Sequence, residues 1–200
     1  MKIYGERVYL EKLKLNHIDQ MQKWGRHNNT LLEDYNYSLE NLSMRKMFLF
    51  ERTASPFKKY YAVCLHDGKM IGFIGVRNIN YIKKTSLLGI VFDPNHLNKG
   101  YGTEGLQLFL RMYFNEMKMK IMYLEVARFN KRAIRAYEKI GFKYMAEYLD
   151  LYRNQMNYED INYLENKNSF IETDGMVYNY IHVMRITEND FKEMEIENEI

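Results

Sequence analysis

The chain has 200 residues, 46% of them hydrophobic and 28% charged, and a net charge of only +3. This ordinary globular mixture argues against a polybasic nucleic-acid protein, and one cysteine, Cys64, rules out an internal disulfide. No stretch approaches the roughly 20 apolar residues of a membrane span, and the opening residues lack an apolar signal region, so a cytoplasmic location is expected.

Residues 7–12 alternate Val8 and Leu10 with polar side chains, as a half-buried strand does. Asn16 is placed to cap a helix that runs through Met21 and Trp24 to about Gly25. A polar loop, residues 27–37, carries Glu33 and Asp34. Ser38 then caps a second helix reaching toward Arg52, and Pro56 closes that region. Strands follow over 60–66 and 69–78, joined by Asp67-Gly68, two residues that tolerate the positive φ of a hairpin turn. A third strand over 85–92 ends at Asp93-Pro94-Asn95. Leu106, Phe109, Leu110, Tyr113 and Met117 recur at helical spacing and predict an amphipathic helix over 101–116. A strand over 121–126 precedes a helix capped by Asn130 and closed by Gly141, and strands over 142–151 and 176–186 complete the pattern. The order predicts an α/β (α+β) fold, with a mixed, mostly antiparallel central sheet and helices on both faces. One domain over 1–188 is expected, with a polar segment of unusual length at about 152–175 and an acidic C-terminal tail over 189–200.

Gly100-Tyr101-Gly102-Thr103-Glu104-Gly105 matches the dinucleotide fingerprint GxGxxG, and Glu125 lies about 20 residues on. The context contradicts a nicotinamide-binding oxidoreductase. Residues 93–99 separate the strand from the first glycine, and the strands upstream read as an antiparallel meander rather than a parallel βαβ unit. The physical content survives. Two glycines let backbone approach a ligand, the following helix offers free N–H groups and a positive dipole end, and Lys99 adds charge.

The loop 99–104, the strand Tyr123-Leu124-Glu125-Val126 and the run from Asn130-Lys131-Arg132-Ala133-Ile134 through Tyr137-Glu138-Lys139-Ile140-Gly141-Phe142 resemble the GNAT superfamily of N-acetyltransferases. The opening Gly5-Glu6-Arg7-Val8-Tyr9-Leu10 and Trp24 are similar to its ribosomal-protein and spermidine N-acetyltransferase branch. The resemblance implies acetyl-coenzyme A as cosubstrate, no metal, and direct transfer of the acetyl group to a primary amine. By the same resemblance, Ile90, Val91 and Phe92 would offer backbone groups to the pantetheine arm. Leu97, Asn98, Lys99, Gly100, Tyr101, Gly102 and Thr103 would hold the pyrophosphate, Asn130 would bond the pantetheine, and Tyr137 would protonate the departing thiolate. Glu33, Asp34 and Glu125 are candidate bases or amine-binding acids.

The expected acceptor is a small-molecule amine (polyamine, amino acid or antibiotic) or a protein N-terminus. A homodimer is the candidate assembly, and no nucleic acid or membrane is involved. A non-catalytic acyl-coenzyme A sensor is the alternative. Two departures stand out. Leu97 replaces the usual Gln or Arg three residues before the first glycine, and the segment at 152–175 replaces a short turn. The five histidines, His17, His27, His66, His96 and His182, show no metal-ligand spacing, and Cys64 reads as a buried thiol.

Overall fold

The computed structural model describes residues 2–199. The chain forms two compact units, Met1–Arg26 with Tyr37–Met122, and His27–Asn36 with Tyr123–Ile200. Strands pair mostly antiparallel in a mixed α/β fold, as the sequence order implies.

In the first unit, β1 (Lys2–Tyr4), β2 (Val8–Lys12), β3 (Lys59–Leu65), β4 (Met70–Asn80) and β5 (Thr85–Phe92) pair in sequence order, each antiparallel to the last. Asp67-Gly68 makes the β3–β4 turn, with Gly68 at φ 89° and Asp67 Oδ1 accepting the Lys69 N–H at 2.9 Å. Alternation along β3 sends Ala62 and Cys64 to one face and Tyr61 and Val63 to the other. Ile18 of α1 (Leu15–Gln20) and Phe48 of α2 (Leu42–Thr53) join Cys64 and Phe73 in the core of the first face. Helix α3 (Tyr101–Arg111) covers the second face, and a Cβ at Gly105 would come within 3.2 Å of Val63 and 3.5 Å of Ile74.

Three element ends differ from the sequence reading. Asn16 lies inside α1; Lys14 precedes the helix, and its N–H is taken by His17 Nδ1 at 3.1 Å. Helix α2 is capped by Asn41, whose Oδ1 accepts the Met44 N–H at 2.9 Å, and not by Ser38. The cause is Arg45, which bonds the carbonyls of Leu39 and Glu40 and so holds those residues outside the helix. The long third helix changes pitch at Met112–Glu116, a π-helical turn closed by Met117 N–H to Met112 O at 2.9 Å. There Tyr113 is fully buried, its hydroxyl accepting from Ser86 Oγ and donating to Ile121 O. Burial pushes that phenol up to about 12.

Strand β6 (Ile121–Ala127) begins in the first unit and continues in the second. In the second, β9 (Met176–Thr187) lies between β6 and β7 (Lys143–Leu151), and β8 (Phe170–Thr173) pairs with the start of β9. Strand β7 has one neighbour and is exposed along its whole length. Helix α4 (Lys131–Lys139) starts at the Asn130 cap, as expected, and Gly141 at φ 101° follows its end.

The segment at 152–175 is ordered structure. It holds the short helix α5 (Ile161–Leu164), a 3-10 turn and β8. Asp174-Gly175, at φ 52° and 70°, makes the β8–β9 turn. The acidic end is likewise not a simple tail. Helix α6 (Glu188–Glu199) buries Phe191 and Met194, and a Cβ on Gly141 would come within 3.7 Å of Met194. Ile200 lies outside the described residues.

Candidate active site

The first unit holds the glycine loop. Strand β5 ends with Ile90, Val91 and Phe92 half-buried and paired with Ile74, Phe73 and Gly72 of β4. The chain then turns on Asp93, which is 1% exposed. Its Oδ1 accepts the N–H groups of Gly25 and Asn95, and its Oδ2 meets His96 Nδ1 at 2.8 Å. A buried carboxylate thus fixes the entrance to the loop, a role the sequence reading missed although Asp-Pro at a helix start signals such a cap.

Leu97 is half-buried, and Asn98 and Gly100 take φ of 59° and 80°. Gly100 is the left-handed residue that precedes α3. The first helical bond runs from Glu104 N–H to Gly100 O at 3.1 Å. The N–H groups of Tyr101, Gly102 and Thr103 therefore have no acceptor within the helix, and they sit at its positive end. A Cβ at Gly102 would stand 3.5 Å from the Phe92 ring, so strand end and helix start adjoin. Lys99 folds back, its Nζ donating to Asn95 O at 3.1 Å.

Behind the loop lies a pair that sequence reading did not find. Glu104 turns its carboxylate toward β2, where Oε1 accepts the N–H groups of Arg7 and Val8 at 2.7 and 3.2 Å. Arg7 Nε donates to Oε2 at 2.8 Å, and another guanidinium nitrogen donates to Lys99 O at 3.0 Å. Burial by itself would raise the Glu104 pKa; the bonds from Arg7 and Val8 outweigh it and hold the carboxyl below its usual range.

The second unit holds the other sequence-predicted residues. Asn130 caps α4 through Oδ1, which accepts the Ala133 N–H at 3.3 Å. Tyr137, two turns on, is half-buried, packs on Phe142 with ring centroids 5.8 Å apart, and has no side-chain hydrogen bond among the described residues. Burial raises its pKa, helped by the nearby Tyr35 and opposed by Arg132. Its phenol is therefore a proton donor across the neutral pH range. Glu125, exposed on β6, accepts a hydrogen bond from the Tyr148 hydroxyl at 3.2 Å.

Glu33 and Asp34 sit in a 3-10 turn, Thr30–Tyr35, within the polar loop expected over 27–37. Asn29 caps it, and Asn36 closes its base by bonding both the N–H and the carbonyl of His27. Both carboxylates are exposed and make no ion pair or side-chain hydrogen bond among the described residues.

One cluster of three ligand-type side chains is found among the described residues. Glu11, His17 and Cys64 place their donor atoms within 4.8 Å of one another. Each has hydrogen-bond partners within the protein. His17 Nδ1 accepts the Lys14 N–H, so the ring proton is on Nε2, facing Glu11 Oε1 at 3.3 Å. Burial pushes the Cys64 thiol up to about 11, and His17 is pushed below 6.5, again by burial. His17 and Cys64 are thus neutral side chains of the core, while Glu11 at its edge is held as a carboxylate by Lys14.

Residues 7–143 match the family described as "Acetyltransferase (GNAT) domain". Over 81 residues, 40% of this chain, the sequence is 28% identical to the spermidine N(1)-acetyltransferase of Escherichia coli strain K12; the match spans 44% of that protein, less than half its length. It is 26% identical over 149 residues to the N-alpha-acetyltransferase of Saccharolobus solfataricus, covering 70% of this chain and 82% of that one. In fold, it is similar to the Vibrio cholerae spermidine N-acetyltransferase solved with CoA and spermine, with a TM-score of 0.70 at 17% identity over 94% of this chain and 99% of that one. The glycine loop opening α3 and the capped α4 with its tyrosine both lie in the matched residues, and the chain belongs to the acetyltransferase (GNAT) domain family.

Proposed function

We propose that this chain is an acetyl-coenzyme A-dependent N-acetyltransferase acting on a primary amine. The observation that carries the reading is the start of α3. There the left-handed Gly100 and the side-chain-free Gly102 leave three backbone N–H groups clear to bind a pyrophosphate. Leu97 supplies no polar side chain, so the site rests on backbone more than on charge.

The reaction needs a neutral amine beside a thioester. The amine nitrogen attacks the carbonyl carbon, and the resulting oxyanion is stabilised by a backbone N–H, for which the strand end at Val91 is the candidate source. Collapse breaks the carbon–sulfur bond, Tyr137 gives its phenolic proton to the departing thiolate, and the proton shed by the acylated nitrogen returns through water to the phenolate. Holding the two substrates together supplies much of the acceleration. Glu33 and Asp34 are the candidate groups for attracting a cationic amine, and Asn130 is the candidate partner of the pantetheine amides. Spermidine and a peptide N-terminus are the first acceptors to try, from the names of the relatives.

Calorimetry with acetyl-coenzyme A tests the reading. Saturable heat at micromolar to millimolar cofactor, followed by acetylation of an acceptor, is the expected result. No binding at millimolar cofactor overturns it.

A further inference from the structure

The segment at 152–175 has no counterpart in the short turn that the family pattern implies, and the second unit shows what it touches. Leu31, from the turn carrying Glu33 and Asp34, is 4% exposed and packs in a cluster with Tyr163 and Phe170 of the long segment. Tyr152 and Met156 close the same cluster. Thr30 Oγ1 donates to Asp160 Oδ2 at 2.6 Å. The other oxygen of Asp160 caps α5 by accepting the Asn162 N–H at 2.7 Å, so one carboxylate fixes the new helix and the old loop together.

The cluster reaches a third element. Phe129 lies flat against Phe170, centroids 5.5 Å apart and planes at 8°, and edge-on to Tyr152. The next residue is Asn130, the cap of α4. One aromatic cluster therefore joins the loop with the two free carboxylates to the start of the helix that carries Tyr137.

We propose that residues 152–175 are a brace that fixes the 27–36 loop against the start of α4, with Thr30 and Asp160 as positioning residues for the acceptor amine. The proposal rests on the acetyltransferase reading and deepens it. A loop free to move would present Glu33 and Asp34 over a range of positions; packed on Tyr163 and Phe170 it presents them in one. The brace touches none of the residues assigned to the pyrophosphate. Phe129, rather than the loop, carries the contact beside Asn130, so variants confined to the loop, at Thr30 and Leu31, should weaken the acceptor and spare the cofactor.

Steady-state kinetics of Thr30→Val and Leu31→Ala, with Thr30→Ser as the conservative variant, test this. Acceptor KM should rise about threefold or more in the first two. The KM for acetyl-coenzyme A should stay within about twofold, and Thr30→Ser should restore acceptor KM. Equal shifts in both KM values, or none, overturn the brace. Hydrogen exchange gives a readout independent of turnover. Amides in 29–36 should exchange several-fold faster in Thr30→Val and Asp160→Ala than in the parent, while those of β3 and β4 stay unchanged. Unchanged exchange in 29–36 overturns the brace even in an active enzyme. Faster exchange in a protein that transfers no acetyl group supports the brace and overturns the acetyltransferase reading alone.

Discussion

Arg7 and Glu104, 97 positions apart, are tied by a backbone and a side-chain hydrogen bond, so that β2 and the first turn of α3 are held by one carboxylate. The same guanidinium reaches Lys99 O and stands 3.1 Å from where a Cβ on Gly100 would lie. Arg7 thus backs the glycine loop from behind. Arg7→Ala removes the charge-assisted bonds and leaves a mostly covered carboxylate short of partners, which costs about 1–2 kcal/mol. In a chain of this size that is a fall in Tm of roughly 2–8 °C, measurable by thermal melting.

The pH dependence of that contact has a definite sign. The carboxyl is held below its ordinary 4.5, so its contribution is complete above that value and is lost as pH falls through the lower folded value. Urea midpoints between pH 6 and 3 should fall more steeply in the parent than in Glu104→Gln. Parallel slopes would remove this carboxylate from the acid limb.

Gly100 and Gly102 should separate under substitution. Gly100 holds φ of 80°, so Gly100→Ala strains the backbone and lowers Tm. Gly102 is helical, and its Cβ would make an ordinary 3.5 Å contact with Phe92. Gly102→Ala should leave Tm within about 2 °C of the parent and, if the proposed pyrophosphate site is correct, weaken acetyl-coenzyme A about tenfold or more by calorimetry, since the added methyl would crowd the backbone approach.

Tyr137→Phe removes one hydroxyl that has no hydrogen-bond partner among the described residues, so the fold should be indifferent to it. Turnover should fall about a hundredfold, with cofactor affinity within twofold of the parent. The parent's pH profile should show no alkaline limb from this group below pH 10, since burial raises the phenol above that ordinary value. Unchanged turnover would remove the acid role.

His17 opens a second acid window. Its folded pKa lies below 6.5, so stability is complete above 6.5 and declines as pH falls through the folded value, because a proton must enter a buried ring. The parent should lose more stability than His17→Gln between pH 7.5 and 5.5, by urea midpoint.

The elements read most easily in the sequence are those whose signal is local. Thr85–Phe92 and the Asn130-to-Gly141 helix follow from strand pattern, cap and closing glycine within one stretch. Ser38 was misleading as a cap because the choice of Asn41 depends on where Arg45 sends its guanidinium. The Arg7–Glu104 contact joins distant residues, neither of which carries a local mark of it. Within 152–175, Tyr152, Tyr163 and Phe170 stand 11 and 7 positions apart with mostly polar residues between them, so no continuous helical or strand pattern marks the cluster of rings. Asp174-Gly175, the turn between β8 and β9, was not read as a hairpin. The candidate site is partly legible for the same reason: Gly100 and Asn130 act through their own backbone neighbourhood, while Asp93 and Thr30 act through partners far along the chain.

The stacking of Phe129 on Phe170 bears on how such a chain can change. Surface insertions are ordinarily reversible: they arrive, vary and are trimmed at little cost. Once Phe129, Leu31 and Val177 are packed against rings supplied by the added segment, excision strands three apolar side chains in water, one of them beside the cap of α4. The surrounding positions are then free to drift toward sequences that only work with the addition present. Shortening the segment in the laboratory would therefore require redesigning Leu31 and Phe129 together.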